Sequence, residues 1–228
     1  FWVWRFVKEG LLMGVFISYS SRDRALVEPL LKALRRARHA VWIDEELTGG
    51  EAWWRTILEQ IRACDVFIVA LSKNMLESKA CQAELRYAQD LGKPILPVQI
   101  GPLDNMRINP LAHMQVIDYR DPSIDTGIEL VSSVHTRRTT ANPLPDPLPE
   151  EPPIPFAYLM RLASTISSPT LTAQQQTTLV AELKAGLEED GDDISARNDI
   201  TQLLCMLRDR PDVTWRTRTD VEAILTSL

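Results

Sequence analysis

Residues 66–71 read Val-Phe-Ile-Val-Ala-Leu, six apolar side chains with no polar interruption. Successive side chains of a strand point to opposite faces, so a strand of this composition needs a sheet covered on both sides. Sheets of that kind are built mostly from parallel strands joined by helical crossovers. The flanking sequence supplies both parts. Val15-Phe16-Ile17, Ala40-Val41-Trp42-Ile43, Pro94-Ile95-Leu96-Pro97-Val98 and Gln115-Val116-Ile117 are further short apolar runs. Between them lie helical stripes: Leu26, Leu30, Leu34 and Ala37; Trp53, Ile57, Ile61 and Cys64; Ala80, Leu85, Ala88 and Leu91; and Ile128, Val131 and Val134. Pro29 interrupts the first stripe, so that helix either begins late or bends there. Five strands alternating with helices predict an α/β fold with a flavodoxin-like five-stranded parallel sheet. Such sheets bind ligands beyond the carboxyl ends of their strands, near the reversal of strand order. Here that edge carries residues 18–23 after the first strand and residues 72–81 after the third.

A different texture begins after residue 135. Seven of the 15 prolines fall within residues 143–155. Prolines fix φ and remove backbone donors, which favours extended polyproline II and reads as a semi-rigid spacer. Beyond it only helical patterns remain. Phe156, Leu159 and Leu162 mark the first, and Thr172-Ala173-Gln174-Gln175 forms a capping box ahead of Leu179, Val180, Leu183 and Leu187. Ile200, Leu203, Leu204 and Leu207 make a third stripe, and residues 220–225 a fourth, capped by Thr217 or Thr219. The expected organisation is an N-terminal extension (1–12), an α/β domain (13–135), a Pro-rich linker (136–155) and a small all-α domain (156–228). The first twelve residues, FWVWRFVKEGLL, lack the cationic lead and small-residue cleavage site of a signal peptide. They read as a non-native or dispensable extension, with Met13 directly before the first strand.

Charge and residue usage exclude several functions. A formal net charge of −6 counts against a sequence-independent nucleic-acid binder. It is unevenly shared: residues 13–135 hold 14 basic and 16 acidic side chains, residues 156–228 hold 7 and 11. Cys64, Cys81 and Cys205 are odd in number and far apart, which argues against a disulfide framework and fits a reducing, cytoplasmic compartment. His39, His113 and His135 are isolated, so no metal cluster is read. No run approaches the ~18 apolar residues of a membrane span. The first strand is not followed by G-x-G-x-x-G, and neither a Walker loop nor a G-x-S-x-G elbow occurs. Receiver domains carry acids at the ends of their first and third strands, where this chain has Ser18 and Ser72. What remains at the expected edge is Glu84, near the start of the helix after the third strand. A carboxylate there faces the pocket; it equally fits an acid that merely favours an early helix turn.

Three segments carry a resemblance. Val15-Phe16-Ile17-Ser18-Tyr19-Ser20-Ser21-Arg22-Asp23 resembles the first motif of Toll/interleukin-1 receptor (TIR) domains. Trp42-Ile43-Asp44-Glu45 with Gly50-Glu51-Ala52-Trp53 resembles their loop between the second strand and second helix. Ser72-Lys73-Asn74 with Cys81-Gln82-Ala83-Glu84-Leu85 resembles the segment that bears their glutamate. The resemblance covers about residues 13–135 and is to the bacterial-type, NAD-cleaving branch. It implies an NAD+ glycohydrolase (NAD+ nucleosidase) that takes NAD+ as substrate, with no cofactor and no metal. The products would be nicotinamide and ADP-ribose or a cyclic ADP-ribose, in bacterial immunity or toxicity signalling. Glu84 would be the catalytic residue. Substrate contacts would fall to Phe16, Tyr19, Ser20, Asp23, Asp44, Trp53 and Cys81. By default Phe16 and Trp53 are core residues, Asp23 a helix cap and Cys81 a small buried side chain. Many family members have a tryptophan four residues before the glutamate; this chain has Ala80. The resemblance also implies homo-oligomers through TIR–TIR contacts that involve residues 44–51, and a signalling partner for residues 156–228. The other reading is a non-enzymatic TIR–TIR interaction adaptor.

Overall fold

The structure, a computed structural model, describes residues 14–43, 51–103, 111, 113–191 and 193–228. The chain divides into two compact units, Phe1–Pro153 and Ile154–Leu228.

The first unit is the α/β fold. Its strands are β1 (Gly14–Ser18), β2 (Ala40–Trp42), β3 (Val66–Leu71), β4 (Ile95–Gln99) and β5 (Ile117–Asp118). They form one parallel sheet in the order β2-β1-β3-β4-β5, with Ser18 at the end of β1 in register with Val69 of β3. The helices are α1 (Arg24–Arg36), α2 (Glu51–Ala63), α3 (Lys73–Glu77), α4 (Lys79–Asp90) and α5 (Ile124–Thr139). All six residues of β3 are buried, as a strand covered on both faces requires. On one face Val15, Ile17, Val66, Ile68 and Val98 pack with Leu30, Leu31 and Leu34 of α1 and with Leu130 and Val134 of α5. On the other, Phe16 stacks on Trp42 of β2 (ring centroids 4.9 Å) and on Phe67 of β3 (5.2 Å). This aromatic ladder crosses three neighbouring strands in register. Lys93 closes the end of α2 by donating from Nζ to the Arg62 and Cys64 carbonyls at 2.6 and 2.9 Å.

Several local features depart from the sequence reading. α1 begins at Arg24 and holds Pro29 in its interior. Proline there gives up one helical hydrogen bond, while Val27, Leu30, Leu31 and Leu34 bury the inner face. α5 buries Leu130 and Val134, one turn apart, and leaves Ile128 61% exposed. It also runs to Thr139, so the expected boundary at 135/136 falls inside a helix. The hydroxyls of Thr136 and Thr139 bond to carbonyls one turn earlier, which absorbs them into a helix that carries no apolar signal there. The proline segment is not free of the first unit. Pro152 accepts a hydrogen bond from Trp54 Nε1 at 3.0 Å, and Glu151 pairs with Arg62 at 2.5 Å.

The described residues of the second unit form four helices, α6 (Ala157–Ile166), α7 (Ala173–Asp190), α8 (Ile194–Arg208) and α9 (Trp215–Thr226). The Thr172 capping box forms as read: Thr172 accepts from the Gln175 N–H while the Gln175 side chain accepts from the Thr172 N–H. Leu159, Leu162, Leu179, Leu183, Ile200, Leu204, Leu207 and Val221 form the core. α9 starts ahead of the expected 220, capped by Thr214 rather than Thr217 or Thr219. Thr217 is instead buried in the first turn and bonded to the Thr214 hydroxyl. The reading missed this start because Trp215, the apolar residue that opens the helix, is 82% exposed and continues no buried stripe. Among the described residues no helix is long and apolar enough to cross a membrane.

Candidate functional site

β1 and β3 lie side by side where the strand order reverses, and a serine stands at or just beyond the end of each. Ser18 closes β1, and Ser72 follows β3. Each serine hydroxyl donates to a carboxylate brought in from elsewhere in the chain.

The first carboxylate is Glu84. α4 starts at Lys79 behind the cap Ser78, whose hydroxyl accepts from the Cys81 N–H at 3.4 Å. Glu84 is therefore the sixth helical residue, beyond the first turn where the helix dipole acts most strongly. Its position on the inner face, with Cys81, Leu85 and Ala88, buries it to 6% exposure. Ser18 Oγ donates to Glu84 Oε2 at 2.5 Å. This bond ties the carboxylate of α4 to the end of β1. An acid serving only the helix would point toward the orphan N–H groups of the first turn. Glu84 points to the strand end instead.

The second carboxylate is Asp23, 2% exposed at the end of a 3-10 turn, Ser21–Asp23. It precedes α1, yet its side chain makes no capping bond. Its oxygens accept from Ser72 Oγ at 2.5 Å and from Asn74 Nδ2 at 2.7 Å. Ser72 also accepts from the Met75 N–H at 3.0 Å and so caps α3. The loops after β1 and β3 are tied together by this one cluster. A third bond, from the Asp23 N–H to the Ser20 carbonyl at 2.8 Å, closes the turn and buries Ser20.

The remaining residues of the expected set are more dispersed. Phe16 is fully packed in the aromatic ladder. Tyr19 is half-buried against the core shared with α1, and Arg24 donates to its hydroxyl at 3.0 Å with the guanidinium 6.0 Å from the ring centroid. Trp53 is half-buried on α2, its ring 5.8 Å from that of Trp54. Cys81 is a buried free thiol in the first turn of α4. Ala80, beside it, is half-buried. Asp44 lies outside the described residues. The structure thus brings Ser18 to Glu84, and Ser72 and Asn74 to Asp23. Neither serine nor Asn74 belongs to the expected contact set. The readable signal for the serines was a hydroxyl at the end of an apolar run, on the sheet edge that binds ligands.

Chemically, the arrangement offers a fixed, largely dehydrated carboxylate at the sheet's carboxyl edge. Such a group stabilises positive charge developing on a bound molecule more strongly than it would in water.

The chain matches no curated protein. Among solved structures it is similar to the TIR domain of a Toll-related receptor from the lower metazoan Hydra magnipapillata. The two are 23% identical, the match covers 54% of this chain and 98% of that one, and the TM-score is 0.47. The family model for the TIR domain matches residues 15–131. That stretch is just over half of the 228 residues and contains Ser18, Asp23, Ser72 and Glu84. This chain belongs to the TIR domain family.

Proposed function

We propose that this chain is an NAD+ glycohydrolase of the bacterial, NAD-cleaving type, with Glu84 as its catalytic residue. The observation that carries the reading is the burial of Glu84 at the ligand-binding edge of the sheet, held by Ser18. Nicotinamide leaves NAD+ as a neutral molecule from a cationic pyridinium, so its departure needs no proton donor. Positive charge develops on the ribose, as in other oxocarbenium-like glycosyl transfers. A preorganised carboxylate stabilises that charge without reorganising. Water, or a nucleophile of the same dinucleotide, then takes the ribose carbon, giving ADP-ribose or a cyclic form. The sites of contact with NAD+ fall among Tyr19, Ser20, Asp23, Asp44, Trp53, Phe16 and Cys81. No cofactor or metal has a part in this chemistry.

The enzyme would work in the cytoplasm, in defence or toxicity signalling, and assemble through TIR–TIR contacts. Residues 156–228 would receive a signal or a partner. NAD+ consumption by the purified chain, followed over a concentration series beside Glu84→Gln, tests this reading. Glu84→Gln is expected to lose at least about 100-fold in rate, the scale for removing one electrostatic stabiliser. Activity per protomer is expected to rise with concentration. Equal NAD+ loss in both proteins would remove Glu84 from the chemistry; no loss at any concentration would leave TIR–TIR contact without catalysis as the function.

A further inference from the structure

We propose that Ser18 is a positioning residue for Glu84, setting the carboxylate's orientation toward the ribose; this rests on the NAD+ reading above. Ser18 stands at the end of an interior strand of the sheet. β1 is paired on both sides, by β2 and by β3, and Ser18 itself is in register with Val69. Its hydroxyl is therefore fixed to the sheet. Glu84 arrives on a different element, with three side-chain torsions between α4 and its carboxyl group. The Ser18 Oγ–Oε2 bond at 2.5 Å joins the two. It engages one defined oxygen and so holds that oxygen at the strand end.

Both partners are buried, Ser18 to 1% and Glu84 to 6% exposure, so water does not replace the bond on equal terms. A second serine–carboxylate bond stands next to it: Ser72 donates to Asp23, caps α3 and shares Asp23 with Asn74. That cluster ties loops together. The Ser18 bond joins the sheet to one carboxylate.

Charge on the ribose exists in the transition state and is absent from bound NAD+. Loss of the orienting bond therefore lowers kcat and leaves KM nearly unchanged. A purely structural role for Ser18 would lower stability without that split.

The test uses the full chain at a concentration where the wild type is active, with Ser18→Ala, Ser18→Thr and Ser18→Cys, each checked for folding by circular dichroism and thermal melting. Ser18→Ala is expected to lose about 10–100-fold in kcat, the scale of a small misplacement of a catalytic group, with KM within about twofold. Ser18→Thr keeps the hydroxyl and is expected to recover most of the loss. Ser18→Cys is nearly isosteric with a weak donor, so it falls between them and carries the comparison if the alanine variant does not fold. A folded Ser18→Ala, or in its place Ser18→Cys, with wild-type kcat overturns the positioning role and leaves the NAD+ reading intact. So does a folded Ser18→Thr that is as impaired as Ser18→Ala. A wild type that leaves NAD+ untouched at every concentration overturns the NAD+ reading, and the positioning role with it.

Discussion

His39 shows how the fold gives a single residue a meaning that its sequence neighbours do not. It is half-buried in front of β2, its N–H donates to the Leu34 carbonyl at 3.1 Å, and its buried Nε2 has no hydrogen-bond partner among the described residues. Burial pushes its pKa below the ordinary value of 6.5, and the nearby charges of His135 and Arg138 on α5 push the same way. The sign follows from linkage. The unfolded chain takes up the proton first as pH falls, so the stability tied to neutral His39 is complete above pH 6.5 and is lost as pH falls through the lower folded value. His39→Gln removes this titration. Its melting temperature is expected to vary less with pH than that of the wild type between about pH 7 and 5, the range in which histidine changes charge. Parallel curves for the two proteins would exclude the effect. In the sequence His39 is an isolated histidine, because its charged neighbours come from a helix near the other end of the domain. Glu84 was legible because it lies in a motif. Its donor Ser18 was not, because nothing in the local chain indicates which acid a strand-end hydroxyl will meet.

Elements were legible to the extent that they buried an apolar pattern. β3 occupies residues 66–71 as read, since a strand covered on both faces leaves an unbroken run. α4 and α7 likewise follow their stripes and caps. α3 was missed because five residues held by the Ser72 cap around one buried side chain, Met75, give no periodicity to find. The start of α9 was missed because its entry is organised by polar contacts. Gln176 on α7 is the centre of these. Fully buried, it donates from Nε2 to the Leu171 and Asp212 carbonyls at 3.1 and 2.9 Å, and its Oε1 accepts from the Thr214 N–H at 2.9 Å. Asp212 adds an accepted bond from the Leu171 N–H at 2.8 Å and a two-pronged pair with Arg210. One side chain thus satisfies the backbone of two loops, before α7 and before α9. Gln176→Ala removes a buried partner from one buried and two half-buried backbone groups and is expected to cost about 2–3 kcal/mol, where exposed Gln174→Ala costs less than about 0.5 kcal/mol. Denaturant unfolding of the two variants checks the contrast.

At the scale of the whole chain, the proline segment needs the most revision. Its composition reads as a spacer, and residues 140–153 do form neither helix nor strand. Yet its end lies on α2, held by two contacts of different kinds. The Arg62–Glu151 pair is short, but the glutamate side chain is 51% exposed, and exposed pairs contribute little after screening and side-chain entropy. The Trp54 Nε1–Pro152 bond belongs to an indole that is almost completely buried. Removing the indole N–H takes the donor away from the Pro152 carbonyl in a part-buried contact. The two contacts therefore separate in a substitution experiment. Trp54→Phe keeps an aromatic ring in the core, removes the donor, and is expected to destabilise the first unit by about 1–2 kcal/mol. Glu151→Ala is expected to cost less than about 1 kcal/mol, and less still at high salt. Hydrogen exchange of α2 peptides reads the first unit by itself. Equal protection in Trp54→Phe and wild type would return the segment to a spacer. A larger loss in Glu151→Ala than in Trp54→Phe would assign the docking to the ion pair. The expected order, with Trp54 dominant, makes the last residues before Ile154 part of the α/β unit, and moves the effective boundary between the units to Pro153/Ile154, late in the proline run.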